Sequence, residues 1–182
     1  MPAEEVACRA DLRRLGVRFE ERDRLSSDEG CLVSHPVAVT SLGGSVGIEP
    51  EAVLNCATAR AAARFVADVV VPETRAAFGS PVVSIVHGSA YVCRTRHAQT
   101  KMSEHAFGNA LDFSAFALED GTVIEVKAYG PGALPRRDFL REMRAKACGR
   151  FKTVLGPGTD ADHADHLHLD LQPRRRGGTY CK

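Results

Sequence analysis

Apolar positions along the chain change period several times, and each change marks an element. Residues 4–15 carry Val6, Leu12 and Leu15 ahead of Gly16, which predicts a short helix with a glycine stop. Residues 17–20 alternate like a short strand. Residues 22–30 are polar, end in Gly30 and predict a surface loop. A strand is expected over 36–42, a turn at Gly43-Gly44 and a short strand over 46–48. The clearest helical pattern runs over 51–71, where Leu54, Ala57, Ala61, Phe65 and Val69 recur at spacings of three and four. Pro72 kinks or ends it, with a continuation over 73–78 to Gly79. Residues 81–87 have the β-branched composition of a buried strand. Residues 109–118 and 122–127 read as a hairpin through Glu119-Asp120-Gly121. A second amphipathic helix is expected over 136–148 through Phe139, Leu140, Met143 and Ala147, and a final strand over 166–171. Helices and neighbouring strands without a regular βαβ rhythm predict an α+β fold, as one domain over 1–182.

Composition narrows the function. Hydrophobic residues make up 44% and charged residues 26%, the balance of a globular chain. The net charge of +1 offers no broad footprint for nucleic acid. The longest apolar stretch, 52–71, is broken by Arg60, Arg64 and Asp68, so no membrane span is expected. With no Trp and 6% aromatics, an aromatic-lined sugar or base platform is also disfavoured. The six cysteines contain no CxxC pair, which argues against a structural zinc knuckle and for three disulfides in an oxidising compartment. Residues 1–14 lack an apolar leader core, so the expectation is a periplasmic or secreted protein whose signal peptide has been removed; the alternative is a cytosolic chain of buried thiols. Nothing demands a partner subunit.

Four of the seven histidines fall in two short stretches, Ser103-Glu104-His105-Ala106-Phe107-Gly108-Asn109-Ala110-Leu111-Asp112 and His163-Ala164-Asp165-His166-Leu167-His168-Leu169-Asp170. On a strand, His166, His168 and Asp170 share one face, with Leu167, Leu169 and Leu171 behind them. Same-face neighbours lie roughly 6.5–7 Å apart, so one histidine can bind a metal while the other reaches its water or the substrate. Asp112 stands between Leu111 and Phe113, and a carboxylate in that setting is costly unless paired or metal-bound. Together the stretches supply the two-histidine, one-carboxylate set of a catalytic zinc site with one position left open. A serine triad is disfavoured by the lack of GxSxG.

The first stretch resembles the SxHxxGxAxD motif of the LAS zinc peptidases, the group of VanY-type D-Ala-D-Ala carboxypeptidases and penicillin-insensitive murein endopeptidases. Its fixed positions are all present at Ser103, His105, Gly108, Ala110 and Asp112. The second stretch is similar to the murein endopeptidase version; VanY-type enzymes carry a Glu where this chain has Asp165. Over most of its length the chain resembles the bacterial extensin-like C-terminal domain family. Gly30-Cys31, Pro36-Val37, Leu54-Asn55-Cys56, Tyr91-Val92-Cys93-Arg94, 103–113, Val154-Leu155-Gly156-Pro157-Gly158 and Tyr180-Cys181 carry that likeness.

The resemblance implies a D-Ala-D-Ala peptidase-like fold, export, and Zn2+ held by His105, Asp112 and His168. It implies His166 as general base, with His163 beside the open position holding substrate or oxyanion. Arg94, after an expected 91–93 strand, would face the scissile carbonyl, with Arg96 on the same strand face as its competitor. The expected activity is hydrolysis of peptidoglycan stem-peptide crosslinks of the D-Ala-diaminopimelate type. The alternatives are trimming of terminal D-Ala, a non-catalytic zinc-containing wall-binding module, or a metal-dependent hydrolase of a non-peptide substrate. Arg94, Arg96, His97 and Lys101 are candidates to meet substrate carboxylates. Arg174-Arg175-Arg176 is expected to be a solvated tail, and His35 and His87 structural. Six cysteines allow fifteen pairings; from element order the expected ones are Cys8–Cys31, Cys56–Cys93 and Cys148–Cys181.

Overall fold

The computed structural model describes residues 1–97 and 99–182. Helix α1 (Ala3–Arg14) leads through Gly16 into β1 (Arg18–Glu21), followed by a small hairpin of β2 (Leu25–Ser26) and β3 (Leu32–Val33). Next come β4 (Pro36–Ser41), β5 (Gly47–Asn55) and α2 (Cys56–Phe65). One wide π turn, Val66–Val70, joins α2 to α3 (Val71–Phe78), which stops at left-handed Gly79. Strands β6 (Val82–Ser89), β7 (Ala110–Leu118) and β8 (Val123–Glu125) precede α4 (Leu134–Ala147). The chain ends through β9 (Thr153–Leu155), β10 (Leu167–Asp170) and β11 (Tyr180–Cys181). A mixed sheet runs in the order β1-β4-β5-β6-β7-β10-β9-β11, with β8 also paired to β7. The β5–β6 and β9–β11 pairs are parallel and the rest antiparallel. The architecture is the α+β class expected.

Four sequence expectations are corrected. Residues 51–55 are strand, not helix: Ala52, Val53 and Leu54 pair with Val39, Ala38 and Val37. The helix starts five residues later because Asn55 caps it, its side chain accepting a hydrogen bond from the Thr58 N–H at 2.8 Å. Small apolar residues satisfy either period over so short a run, so the cap was the better signal. The loop expected over 22–30 contains β2, and β10 is not the last strand: β11 returns beside β9. Residues 91–93 lie in an irregular segment after β6, because the pairing with β7 ends at Ser89 opposite Asp112.

Of the expected disulfides, only Cys148–Cys181 is formed. The other two are Cys8–Cys56 and Cys31–Cys93. Helix α1 packs on α2, which carries Cys8 to Cys56 rather than to its neighbour in sequence. Cys31, beside β3, is thereby left to tie down the segment that follows β6. Three disulfides fit maturation in an oxidising compartment. Among the described residues, no helix is long and apolar enough to cross a membrane.

Aromatic rings knit the core. Phe65 of α2 packs on Phe113 and Phe151 at 6.4 and 5.8 Å between ring centres, and Phe116 packs edge-on against Phe113 and Phe139. Phe113 is fully buried and neighbours Asp112, so strand alternation turns the ring to the core and the carboxylate to the opposite face. Replacement of Phe113 by alanine is therefore expected to cost about 3–5 kcal/mol of stability, read from urea unfolding.

Candidate metal centre

Two adjacent strands present the site in register. His168 of β10 lies directly opposite Asp112 of β7, and Asp170 lies opposite Ala110. The alternate residues Leu167 and Leu169 pair with Phe113 and Leu111 on the core side. The small Ala110 leaves room beside Asp170, and the leucine backing holds the polar face rigid. His105 comes from a 3-10 turn, Glu104–Phe107, that Ser103 caps by accepting the His105 N–H. Gly108 ends that turn at φ 59°, a left-handed conformation that favours glycine. It also lies flat against β5: its carbonyl accepts the Asn55 N–H at 2.8 Å, and a Cβ there would meet the Asn55 nitrogen at 2.7 Å. Gly108→Ala is expected to lose more than about 1 kcal/mol of stability, checked by thermal melts.

The three side chains converge. His105 Nε2 is 3.2 Å from Asp112 Oδ2, His168 Nδ1 is 2.8 Å from Asp112 Oδ1, and the two imidazole nitrogens are 3.3 Å apart. His105 is 1% and Asp112 4% exposed, so this cluster is shielded from bulk water. The remaining ring nitrogens are occupied. His105 Nδ1 donates to the Ala90 carbonyl at 2.6 Å, and His168 Nε2 donates to Asp170 Oδ2 at 3.0 Å. Each imidazole thus has a partner for its outward nitrogen, which fixes the ring's orientation toward Asp112 as metal-ligating histidines require.

The electrostatics favour a cation at this point. Burial disfavours a charged Asp112, but hydrogen bonds and charge from His105 and His168 prevail and hold its carboxyl far below the usual range. Burial likewise opposes a charged His168, yet Asp112 and Asp170 outweigh it and push His168 up to about 9. Asp170 is kept ionised against its burial by His168 and Thr153. Two donors bonded to one ion at about 2.0–2.1 Å must lie within about 4.2 Å of each other. The three inward atoms meet that condition, and together they could hold a metal ion. Glu29, Cys31 and Cys93 are also close together, but both sulfurs are consumed by a disulfide.

The cluster forms the floor of a cleft of about 490 Å³. His166 and His163 line its wall. His166 Nδ1 donates to Asp165 Oδ1 at 2.9 Å, and its Nε2 lies 3.8 Å from Asp112 Oδ2. His163 Nδ1 donates to Asp160 Oδ1 at 2.6 Å, and its ring packs against those of His166 and His168 at 5.3 and 5.7 Å. Arg94 is exposed at the cleft. The expected competitor Arg96 is half-buried, with its guanidinium 3.7 Å from Glu104. His97 is engaged by Asp162 at 2.9 Å. His87 is buried and donates Nε2–H to the Pro50 carbonyl at 2.9 Å, and that burial pushes its pKa below the usual imidazole value.

Two features escaped the sequence reading. Asp160 orients His163 and also caps its turn; the Asp-x-x-His spacing was a usable capping signal. Arg174 is not part of a solvated tail: it is half-buried, lines the cleft and donates to Thr153 Oγ1 at 2.6 Å. No local pattern announced it, because β11 and its disulfide bring it back.

Fold and cleft together define a disulfide-stapled α+β protein with a buried, cation-favouring cluster of two histidines and one aspartate on its sheet. The chain belongs to the family described as extensin-like protein C-terminus, whose model matches residues 6–182. No curated protein and no solved structure gives a match to the chain.

Proposed function

We propose that the protein is a zinc-dependent peptidoglycan peptidase, most simply an endopeptidase of stem-peptide crosslinks, working in the periplasm or outside the cell. The observation that carries this reading is the inward-facing trio His105 Nε2, Asp112 Oδ and His168 Nδ1, with His166 Nε2 beside it at the cleft. The SxHxxGxAxD and HxxHxH patterns, shared with LAS peptidases, support the choice of substrate.

In this reading His105, Asp112 and His168 hold the zinc. When bound, zinc supplies Lewis-acid chemistry, lowering the pKa of a water from 15.7 toward about 7 and polarising the peptide carbonyl. His166 takes the proton of the attacking water at Nε2, because Asp165 occupies its Nδ1. The same nitrogen then returns the proton to the leaving amine. Asp165 also stabilises the imidazolium between the two transfers. His163, fixed by Asp160, and Arg94 provide positive or donor groups for the developing oxyanion, a role worth roughly 3–4 kcal/mol for a well-placed donor. Asp170 takes no part in proton transfer and keeps His168 turned inward.

The test is mass spectrometry of purified crosslinked muropeptides after incubation with the zinc-loaded protein. Conversion of dimers to monomers, abolished by chelator, is the expected result. Release of terminal D-Ala alone would reassign it as a carboxypeptidase. Unchanged muropeptides with a folded, zinc-loaded sample would overturn the hydrolase reading.

A further inference from the structure

The charges lining the cleft are unevenly satisfied. Every carboxylate on its wall has an internal partner: Glu104 takes Arg96 and the Asn109 amide, Asp160 takes His163, and Asp162 takes His97. Asp112 and Asp170 are both engaged by His168. Two cleft arginines, Arg94 and Arg174, have no carboxylate within 4.0 Å among the described residues. Among the described residues, Arg94 and Arg174 are therefore the cleft arginines left without a carboxylate partner inside the protein.

Arg174 is the better built of the two. Its Nη2 donates to Thr153 Oγ1, its guanidinium packs over the Tyr180 ring at 5.1 Å, and its Nε is buried without a hydrogen-bond partner. The structure also invests in its position. Tyr180 pairs with Thr153 through β11 and β9, and the Cys148–Cys181 disulfide fastens the next residue. Thr153 stands opposite Asp170 in the sheet, and Asp170 holds His168. Arg174 is thereby held in the cleft wall on the Asp170 side of the cluster, whereas Arg94 belongs to the segment before the His105 turn.

We infer that Arg174, backed by Tyr180, is a carboxylate subsite that selects ligands carrying a free carboxylate close to the bond presented to the cluster. The identity of that bond rests on the peptidase reading above; the anion subsite itself does not. A planar guanidinium with unused N–H groups suits a carboxylate bidentately, and an amidated counterpart would lose the charge-assisted part of that contact.

The experiment compares N-acetyl-D-alanyl-D-alanine with its C-terminal amide by titration calorimetry, with each mixture then analysed by mass spectrometry for turnover. The protein is expected to bind the acid about 10- to 100-fold more tightly than the amide. Arg174→Gln should abolish that preference, and Arg174→Lys should retain part of it. Equal affinity of the wild-type protein for acid and amide would overturn the subsite. So would a preference that survives in Arg174→Gln, or an equal weakening of both ligands in that variant, which marks a purely structural arginine. If Arg174→Gln does not fold, Arg174→Lys decides: an acid preference undiminished from wild type counts against the subsite. Acid preference with crosslinked muropeptides left intact leaves the subsite standing and removes the peptidase reading; cleavage of those crosslinks without acid preference does the reverse.

Discussion

His166→Ala is expected to keep its zinc and lose hydrolysis of crosslinked muropeptides by about 10²–10⁴-fold, the usual contribution of a positioned acid-base group. His166 is not one of the three converging side chains: its nearest approach to Asp112 is 3.8 Å, against 2.8 and 3.2 Å for the two proposed ligands. Its Nδ1 is occupied by Asp165, so only Nε2 is available for proton transfer. Metal content by mass spectrometry of the intact protein should be unchanged, because none of the converging atoms is removed. A His166→Ala protein with full activity would contradict the role as base, and one that has lost its zinc would make His166 a ligand.

The second large effect concerns Asp112. Asp112→Ala is expected to abolish stoichiometric zinc binding and reduce hydrolysis to background. Without metal the variant should also be destabilised by roughly 3–5 kcal/mol, because its removal strips the paired charge from His168, whose side chain is only 12% exposed. Thermal melts separate this from simple misfolding. The wild-type melting temperature should fall when chelator is added, since a metal that binds only the folded chain stabilises it by mass action. The Asp112→Ala melting temperature should be lower and insensitive to chelator. A chelator response equal to that of wild type would show that the metal sits elsewhere.

Local chemistry in this protein was readable where the pattern itself carried a physical requirement. Asp112 between Leu111 and Phe113 declared a buried carboxylate needing cations, and β7 does turn it onto the face opposite Phe113. The period-two pattern from His166 to Leu171 declared a strand with polar and apolar faces, and the register of β10 with β7 joins the two motifs. Gly108 declared an unusual turn, and the backbone of Asn55 explains why no larger residue fits. Long-range features were not readable. Residues 51–55 satisfied a helical period, yet pairing with β4 made them strand, a tertiary override of local preference. The disulfides followed the packing of α1 on α2, which spacing does not encode. Arg174 reaches the cleft only because a parallel β11–β9 pair folds the tail back, and a run of three arginines looks the same in a free tail.

The central claim is that His105, Asp112 and His168 hold a metal ion that makes this cleft reactive. Anomalous diffraction at the zinc edge from crystals of the zinc-loaded protein tests it most directly. The expected result is one strong peak per chain, coordinated by His105 Nε2, Asp112 and His168 Nδ1 at about 2.0–2.2 Å, with a further position open to the cleft. Crystals soaked in zinc that show no peak among these three side chains, or a peak held by other residues, would contradict it.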